Sequence, residues 1–394
     1  MKQWTGIFWV VALALAPSLA LHPEQGTAPP ASAQVRFALG GNAAEIPADY
    51  LGGLVFLPVR VNQSAPSLFE LDSTAPRSSI DPQRAAEVGY GGQPAPVLSL
   101  SDVDISLASL AGTSEPDFGG RVGRAYEGAL GNDFLGSVTA ELDYARQTVR
   151  LYDPAAFKYS GHGTVLPVKF VSGMPVVRAK IGEAQGKTVE ADFVVNTALD
   201  ASVLVFASYA QVRRLPGKVK TMPASDAPLA GAQKAVLARL RLLQLGPYIV
   251  PSPIAVFSGV DRPAGSEPRL AGEIGGDILE RFTVIFDYAR RRIILDRNSN
   301  FRVDDLEDMS GLSIVAGGPN LKRFEVVSVQ PETPGSDAGI RKGDVIEGVD
   351  GEPAANLSLA DLRALFRQIG HPYVVVLSRK GAAVTVTLRM RRLL

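Results

Sequence analysis

Two short polar triplets hold the side chains best suited to chemistry in this chain of 394 residues. Asp72-Ser73-Thr74 follows Phe69-Glu70-Leu71, and Asn196-Thr197-Ala198 follows Phe193-Val194-Val195. A carboxyl group can take up and release a proton, whereas an amide of the same shape can only form hydrogen bonds. The candidate catalytic residues are therefore Asp72 and Ser73, with Asn196 and Thr197 as their degenerate counterparts.

Composition excludes several other kinds of site. The chain has no cysteine, which rules out thiol catalysis, disulfides and thiolate metal sites. Its histidines (His22, His162 and His371) are scattered and have no carboxylate at ligand spacing, so we predict no metal site and no cofactor. Lysine plus arginine equals aspartate plus glutamate, 40 against 40, and this balance argues against a nucleic-acid partner.

The triplets belong to an internal repeat. Asp143-Tyr144-Ala145-Arg146 recurs 144 residues later as Asp287-Tyr288-Ala289-Arg290, and Leu130-Gly131 recurs at the same distance as Ile274-Gly275. Alternating apolar residues around the tetrapeptides predict two β-hairpins with turns near each Ala-Arg pair. Each unit therefore consists mainly of short strands.

Two other segments of the first unit have local signals. Residues 81–88 predict a helix, with Asp81 as its cap and Pro82 in its first turn. Gly119-Gly120-Arg121-Val122-Gly123 is glycine-rich, but it opens no helix after a strand, so phosphate binding is not supported. We interpret that segment as a loop.

The order of these blocks over residues 55–295 resembles the retropepsin-like aspartic proteases in their tandem, two-lobed form. In that family each lobe has a strand ending in Asp-Thr/Ser-Gly, and a later hydrophobic-hydrophobic-Gly stretch supports that loop. The resemblance implies a mainly β fold with two retropepsin- or pepsin-like lobes, at 35–160 and 161–297. Here both triplets depart from the pattern, because each lacks its glycine and Asn196 replaces the second acid.

The departure bears directly on the chemistry. In the family, two facing carboxyl groups share a proton, one activating water and the other donating to the peptide carbonyl. With Asn196 the pair has one acid, and a pseudoenzyme is expected. Asp72-Ser73 could equally serve as a structural turn that ends a strand. Two chains could also pair through their first lobes and bring two copies of Asp72 together.

The C-terminal third, residues 309–394, comes after a polar linker at 298–308 and resembles a bacterial PDZ domain. The resemblance rests on Ala338-Gly339-Ile340-Arg341-Lys342-Gly343-Asp344-Val345-Ile346, a turn at Asp350-Gly351, an amphipathic helix at 359–369 and closing strands. It implies a β-sandwich with one main helix. PDZ domains bind a chain terminus as an added strand. The predicted peptide-binding residues are Gly311, Leu312, Ser313, Ile314, Leu362, Leu365 and Phe366, although the helix residues could simply be core.

The N-terminus has the parts of an export signal. Lys2 supplies a positive charge, residues 7–16 form an apolar run, and Ser18-Leu19-Ala20 is a small-residue cleavage site. We expect a signal peptide at 1–20 that is cleaved after Ala20, a disordered lead-in at 21–34, and a periplasmic or secreted mature protein. An uncleaved segment would instead anchor the chain to a membrane.

Three functions are consistent with the sequence. The first is an exported protein that binds extended peptides or protein C-termini, with proteolysis lost or weak. The second is an active aspartic endopeptidase that uses Asp72 and recruits substrate through the PDZ domain. The third is a scaffold with merely structural lobes. Asn196 separates the first two, because a working acid pair needs a carboxyl group there.

Overall fold

The structure is a computed structural model that describes residues 33–113, 118–182, 186–224, 235–259 and 269–394. The predicted signal peptide at 1–20 lies outside the described residues, as does the predicted lead-in apart from its last two residues. Within the described ranges, no helix has both the length and the apolar character needed to cross a membrane.

The first repeat unit is a lobe of short strands. Its strands are β1 (Gln34–Phe37), β2 (Ala43–Pro47), β3 (Asp49–Leu51), β4 (Leu54–Val61), β5 (Ser67–Leu71), β6 (Ser79–Ile80), β7 (Val97–Leu100), β8 (Val103–Ser106), β9 (Ala111–Gly112), β10 (Gly128–Leu130), β11 (Thr139–Asp143) and β12 (Thr148–Tyr152). Its helices are α1 (Pro82–Glu87), α2 (Phe118–Val122) and α3 (Asn132–Leu135), with a 3-10 turn at Ala38–Gly40.

The second repeat unit is built in the same way. Its strands are β13 (Thr164–Pro167), β14 (Lys169–Val171), β15 (Met174–Gly182), β16 (Thr188–Val195), β17 (Val203–Val205), β18 (Thr221–Pro223), β19 (Val236–Arg239), β20 (Leu242–Leu245), β21 (Tyr248–Pro251), β22 (Ile254–Phe257), β23 (Leu270–Ile274), β24 (Phe282–Asp287) and β25 (Arg292–Arg297). Its helices are α4 (Ala207–Arg213) and α5 (Gly276–Leu279), with 3-10 turns at Tyr288–Arg290 and Ser299–Arg302.

The repeated tetrapeptides form the predicted hairpins, which join the two lobes. Each copy turns the chain between two antiparallel strands, β11 to β12 in the first lobe and β24 to β25 in the second. The inner strands of the two hairpins pair with each other, with Ala140 opposite Phe286. The result is one sheet in the order β13-β25-β24-β11-β12-β2, and one apolar core extends through both lobes.

A second repeated feature positions the two triplets. In the first lobe β5 runs parallel to β10, and in the second lobe β16 runs parallel to β23. The backbone amides of Asp72 and Asn196 donate to the last carbonyls of those neighbouring strands, each at 2.9 Å. The next residues, Gly131 and Gly275, lie so close to other backbone that a Cβ would come within 2.6 Å and 2.2 Å of it. These glycines are required by close packing.

The C-terminal domain has its own sheet and core. Its elements are β26 (Leu312–Gly317), β27 (Arg323–Val329), α6 (Pro334–Asp337), β28 (Val345–Val349), β29 (Glu352–Pro353), α7 (Leu359–Phe366), β30 (Pro372–Arg379) and β31 (Ala382–Arg389), with 3-10 turns at Pro319–Leu321 and Ala354–Asn356. The strand order is β26-β27-β28-β30-β31. Ser358 and Asp361 cap α7 reciprocally, which fixes where that helix begins.

The two local predictions in the first lobe had opposite outcomes. The helix at 81–88 is confirmed as α1, whose cap Asp81 accepts hydrogen bonds from the backbone amides of Gln83 and Arg84. The loop predicted at 119–123 is wrong, since most of that segment is α2. The glycines disfavour a helix intrinsically, but α2 packs against β26 of the C-terminal domain, and this contact overrides local propensity.

Candidate functional site

The two triplets meet at the contact between the lobes, where their hydroxyls bond each other's backbone. Ser73 Oγ donates to the carbonyl of Val195 at 2.7 Å, and Thr197 Oγ1 donates to the carbonyl of Leu71 at 2.5 Å. In return, the amide of Ser73 donates to Thr197 Oγ1 at 3.0 Å, and the amide of Thr197 donates to Ser73 Oγ at 3.1 Å. Both residues are fully buried. We call these four hydrogen bonds the interlobe grip.

The interlobe grip brings all four predicted site residues together. Asp72 and Asn196 immediately precede the gripped residues Ser73 and Thr197, so both polar side chains start at the contact between the lobes. Both are only partly buried and remain accessible to solvent. One acid and one amide are therefore presented to solvent at the contact between the lobes.

Asp72 is held by its own loop. Its Oδ1 atom accepts three hydrogen bonds, from the Thr74 amide at 2.7 Å, the Thr74 hydroxyl at 2.6 Å and the Ala75 amide at 3.1 Å. Thr74 stands where the family has glycine, yet its φ is not in the left-handed region. The β-branched residue is therefore accommodated without backbone strain, and its hydroxyl adds a hydrogen bond to the carboxylate.

Asn196 is held partly by its loop and partly by a neighbouring strand. Its Oδ1 accepts from the Ala198 amide at 2.8 Å, as Asp72 Oδ1 accepts from Thr74. Its Nδ2 donates to Glu273 Oε2 at 2.6 Å. The amide thus keeps the loop geometry of the missing acid and adds a link to a carboxyl group on β23.

Glu273 is the site residue that sequence reasoning missed. It directly precedes Ile274-Gly275, which was recognised only as the loop-supporting stretch. Burial raises the pKa of Glu273, the hydrogen bond from Asn196 lowers it, and the charge of Asp72 raises it further, with a net rise. A glutamate in a segment otherwise made of apolar residues and glycine was the available signal.

A second candidate site lies between the second lobe and the C-terminal domain. It is a cavity of about 330 Å³ that opens beside the start of β26. Of the predicted peptide-binding residues, Gly311, Leu312 and Ile314 line it. Apolar side chains of the second lobe form the facing wall: Met222, Leu237, Ile254 and Val256.

The α7 side of this cavity differs from the sequence prediction. Arg363 and Arg367 line the cavity, whereas Leu362 and Phe366 are fully buried in the core of the C-terminal domain. Leu365 is half-buried against that core. The helix positions assigned from the sequence are thus on the core face, because the amphipathic stripe of α7 packs inward.

Ser313 also turns away from the cavity. Its residue is fully buried and its Oγ accepts from Ser328 Oγ on the neighbouring strand at 2.7 Å. Side chains alternate along a strand, so Leu312 and Ile314 share the face opposite Ser313. The first strand of the domain therefore lines the cavity with Leu312, Ile314 and Val315, whereas Ser313 packs inside the domain.

Acidic residues surround Arg363 of α7 and Arg367, which directly follows that helix. Arg363 contacts the Asp200 carboxylate at 3.5 Å and donates to the carbonyl of Arg121 in α2 at 2.8 Å. Burial opposes the charge of Arg367, but neighbouring carboxyl groups outweigh burial and raise its pKa: Asp277, Asp200, Asp308 and Asp305. Burial in turn raises the pKa of Asp200 and Asp277, although the arginines lower it, so desolvation opposes the attraction between these carboxyl groups and the C-terminal domain.

Comparison with known proteins identifies the C-terminal part of the chain. The family model described as PDZ domain matches residues 325–379. The C-terminal domain is a PDZ domain. A solved photosystem II D1 C-terminal processing protease is 33% identical over 21% of this chain and 22% of its own length, with a TM-score of 0.19. The match thus spans about a fifth of that protease. No curated protein sequence matches the chain.

Solved aspartic proteases resemble the lobes. An aspartic proteinase from Irpex lacteus is 14% identical and covers 67% of this chain and 99% of its own, with a TM-score of 0.41. A retropepsin-like aspartic protease from Rickettsia conorii is 18% identical and covers 35% of this chain and 95% of its own, with a TM-score of 0.26. The interlobe grip, the repeat and the shared sheet characterise the lobes more directly. The fold is mainly β, with two aspartic-protease-like lobes followed by the PDZ domain.

Proposed function

We propose that this protein is an exported peptide-binding protein in which the bilobal cleft and the PDZ groove both engage extended polypeptide. Peptide hydrolysis by two paired aspartates is lost. The observation that carries this proposal is Asn196, which stands at the second acid position while the interlobe grip remains intact. The architecture of the cleft is kept, and the shared proton of an aspartate pair is not.

The chemical cost of Asn196 is large. A positioned acid or base contributes about 10²- to 10⁴-fold to a rate, and residues that act as a unit lose more than their separate shares. Asp72 can accept a proton from water, but the amide of Asn196 cannot give one to a carbonyl oxygen. Binding of extended peptide does not need that proton.

The PDZ domain supplies a second reason to expect peptide. Gly311, at the loop before β26, has φ of +69°, and a Cβ there would lie 2.3 Å from the Thr333 side chain. Such a glycine lets the loop turn tightly enough for backbone amides to face one point, as capture of a terminal carboxylate requires. The cavity beside Leu312 and Ile314 would take the terminal side chain.

Binding is tested with fluorescence anisotropy on the chain that begins at Leu21, using unstructured peptides with a free or an amidated C-terminus. We expect both forms to bind through the bilobal cleft, and the free form to bind about tenfold more tightly. Gly311→Ala should remove that advantage by deforming the loop. Gly351→Ala is the matched control, since Gly351 also has positive φ but has nothing within 4 Å of its Cβ position.

Two results would overturn this proposal in different ways. Absence of binding by both peptide forms between pH 3 and pH 7.5 would remove the peptide-binding function. Equal affinities for free and amidated peptides would remove the C-terminus-specific part. Export is tested by sequencing the N-terminus of the protein recovered from the cell envelope or medium. A start at Leu21 supports cleavage, and retention of Met1 contradicts it.

An active endopeptidase is the second candidate, and one observation favours it. The Asn196 amide does not point into empty solvent but holds a carboxyl group, that of Glu273, at 2.6 Å. A carboxyl group is therefore present beside the position where the aspartate is missing.

A further inference from the structure

We propose that Asp72 and Glu273 form an acid–base pair across the lobe contact, and that this pair gives the cleft a slow peptide hydrolase activity. Asn196 serves as the positioning residue that aims Glu273. This inference rests on the proposed engagement of extended peptide by the cleft. It assigns a further catalytic residue to that site.

A series of hydrogen bonds links the Asp72 loop to Glu273 by way of the interlobe grip and Asn196. The interlobe grip fixes the Asp72 and Asn196 loops together, and the Asn196 amide reaches the Glu273 carboxyl. Register adds a second constraint, because Glu273 lies opposite Val194 on β16 and Leu204 on β17. Both of these neighbours are apolar, the Asn196 side chain donates a hydrogen bond to Glu273, and the charge of Asp72 acts on the same carboxyl group.

The two carboxyl groups are differentiated by their surroundings. Oδ1 of Asp72 accepts three hydrogen bonds, from the amide and hydroxyl of Thr74 and from the amide of Ala75. Burial raises the pKa of Glu273, and the charge of Asp72 raises it again. Two carboxyl groups in different surroundings, one buried and one held by its own loop, can take the different roles of an acid and a base.

The proposed reaction balances with water as the only co-reactant. Asp72 takes a proton from water while the water oxygen bonds to the peptide carbonyl carbon, and protonated Glu273 gives its proton to the carbonyl oxygen. The product is a neutral gem-diol. One gem-diol hydroxyl then returns its proton to Glu273, the carbon–nitrogen bond breaks, and Asp72 gives its proton to the leaving nitrogen. An acid and an amine are released, and both carboxyl groups regain their starting forms.

The test is a cleavage assay with an internally quenched peptide library between pH 3 and pH 7, on the chain that begins at Leu21. We expect slow cleavage by the wild type, faster at acid pH because Glu273 must be protonated. Glu273→Gln should reduce the rate about 100-fold or more. Glu87→Gln, an exposed change on α1, is the control and should leave the rate and the pH profile unchanged. Asp72→Asn gives the background rate.

The outcomes separate this inference from the peptide-binding proposal. Binding of doubly blocked peptides is measured for each variant alongside cleavage. If the wild type binds but cleaves no faster than Asp72→Asn at every pH, the acid pair is wrong and the binding function stands. If Glu273→Gln cleaves like the wild type with an unchanged pH profile, the proton donor is another group and the inference also fails. Thermal melts verify that each variant is folded.

A different observation carries a second inference, which concerns access to the PDZ groove. We infer that α2 of the first lobe occupies one end of that groove and competes with peptide for it. β26 is one of the two edge strands of the PDZ sheet among the described residues, and it follows the Gly311 loop, so its free edge is where a peptide strand would add. Gly120 of α2 lies against that strand, where a Cβ would be 2.8 Å from the carbonyl oxygen of Ala316.

The C-terminal end of the segment at 119–123 packs against α7. Gly123 has φ of +76°, and its Cβ position lies 2.7 Å from Cβ of Leu359, the first residue of α7. The carbonyl of Arg121 accepts a hydrogen bond from Arg363 on the same helix. The segment therefore spans from the strand to the helix that border the groove. Both glycines are needed for this close approach.

Gly120→Ala tests this competition directly, since the added methyl would push α2 away from Ala316. We expect about tenfold tighter binding of a free-carboxylate peptide. Gly112→Ala, whose Cβ position lies 4.0 Å from its nearest neighbour, is the control and should bind like the wild type. Hydrogen exchange provides a variant-free measurement, because peptide binding to the wild type should speed exchange in residues 118–123.

The inference that α2 competes with peptide is wrong if Gly120→Ala leaves peptide affinity unchanged and peptide binding also fails to alter hydrogen exchange in residues 118–123. Circular dichroism confirms that the variant retains its fold. A loss of affinity in Gly120→Ala would likewise contradict the inference, since it would show that α2 supports the groove rather than obstructs it.

Discussion

The loops that carry Asp72 and Asn196 are equivalent in fold but differ in where their acid lies. In the first lobe the acid is in the loop and is held by that loop, through the Thr74 hydroxyl and two backbone amides. In the second lobe the loop carries an amide, and the acid is Glu273 on the neighbouring strand, where the first lobe has Ala129. The grip depends on hydroxyls, so it does not require acids in both loops.

The lobes also differ in how they use a second repeated pair of residues. The serine of this pair lies six residues after Asp72 or Asn196, and the aspartate lies two residues after Gly131 or Gly275. In the first lobe Ser78 donates to Asp133 at 2.6 Å, and the pair is internal. In the second lobe Ser202 donates instead to Asp305 at 2.5 Å, and Asp277 lies beside Arg367 of the PDZ domain. The first lobe satisfies its own loop, and the second uses the same positions to hold the linker and the PDZ domain.

The largest expected effect comes from removing the interlobe grip, the feature that the two loops share. Thr197→Val leaves the amide of Ser73 and the carbonyl of Leu71 buried without partners, and should lower the free energy of unfolding by about 3 kcal/mol. Ser73→Ala should cost a similar amount, because its hydroxyl makes the mirror-image contacts. Urea denaturation measures both. A double variant that costs the full sum would contradict a shared grip, since coupled residues are not additive.

A change in charge should come next and should act on the second lobe alone. Asn196→Asp places a carboxylate at 2.6 Å from Glu273, and two such groups cannot both ionise. Their proton affinity in the folded state rises, so stability is kept at acid pH and lost as pH rises. We expect a loss of about 2 kcal/mol at pH 7.5 and almost none near pH 4. Asp72→Asn, the mirror change, should show no such pH-dependent loss in urea titrations.

The serine pair should give a smaller, asymmetric effect. Ser78→Ala removes the bond to Asp133 and also the acceptor of the Gly131 amide, and should cost about 1.5 kcal/mol. Ser202→Ala removes one bond to Asp305, which still accepts from the Ile254 amide, so less than about 1 kcal/mol is expected. Thermal unfolding of the two variants measures the difference. Equal losses would mean that the two positions are equivalent after all.

The smallest expected effect is the contribution of Glu273 to the stability of the wild-type protein. Because its folded-state pKa is raised, its contribution to stability is fully present below the ordinary value of 4.5 and is lost as pH rises through the folded value. The stability of the wild type relative to Glu273→Gln should therefore fall between pH 4.5 and neutrality, by about 1 kcal/mol or less. Parallel melting curves across that range would show it. A relative stability that increases with pH would contradict the burial of this acid.

The internal repeat predicted which residues of the two loops are equivalent, because its two units can be aligned with each other. Aligning the two units placed Ser73 against Thr197 and Asp72 against Asn196, and these positions do meet. Glu273 was not predicted as a site residue because the equivalent residue of the first unit is Ala129. Comparing the two units therefore did not indicate an acid at this position. Its role depends on the contact between β23 and the Asn196 loop, which only the structure shows.

Contacts between domains were the other limit of sequence reasoning. The segment at 119–123 lacks helical propensity, and only its packing against β26 and α7 makes α2 form. The spacing of Leu362 and Phe366 is compatible with lining a peptide groove and with packing in the core. In the structure both side chains pack in the core of the C-terminal domain. Periodicity shows which side chains share a face, but not which neighbour that face meets.

The pairing of β11 with β24 has a consequence for how this protein can be divided. Because the central sheet passes from one lobe into the other, a fragment containing either lobe alone would expose the edge of an inner strand, with Leu142 or Val284 bordering it. Exposed apolar edges of this kind pair with other chains. Each separately expressed lobe is expected to aggregate or dimerise, and the two fragments expressed together are expected to reassemble.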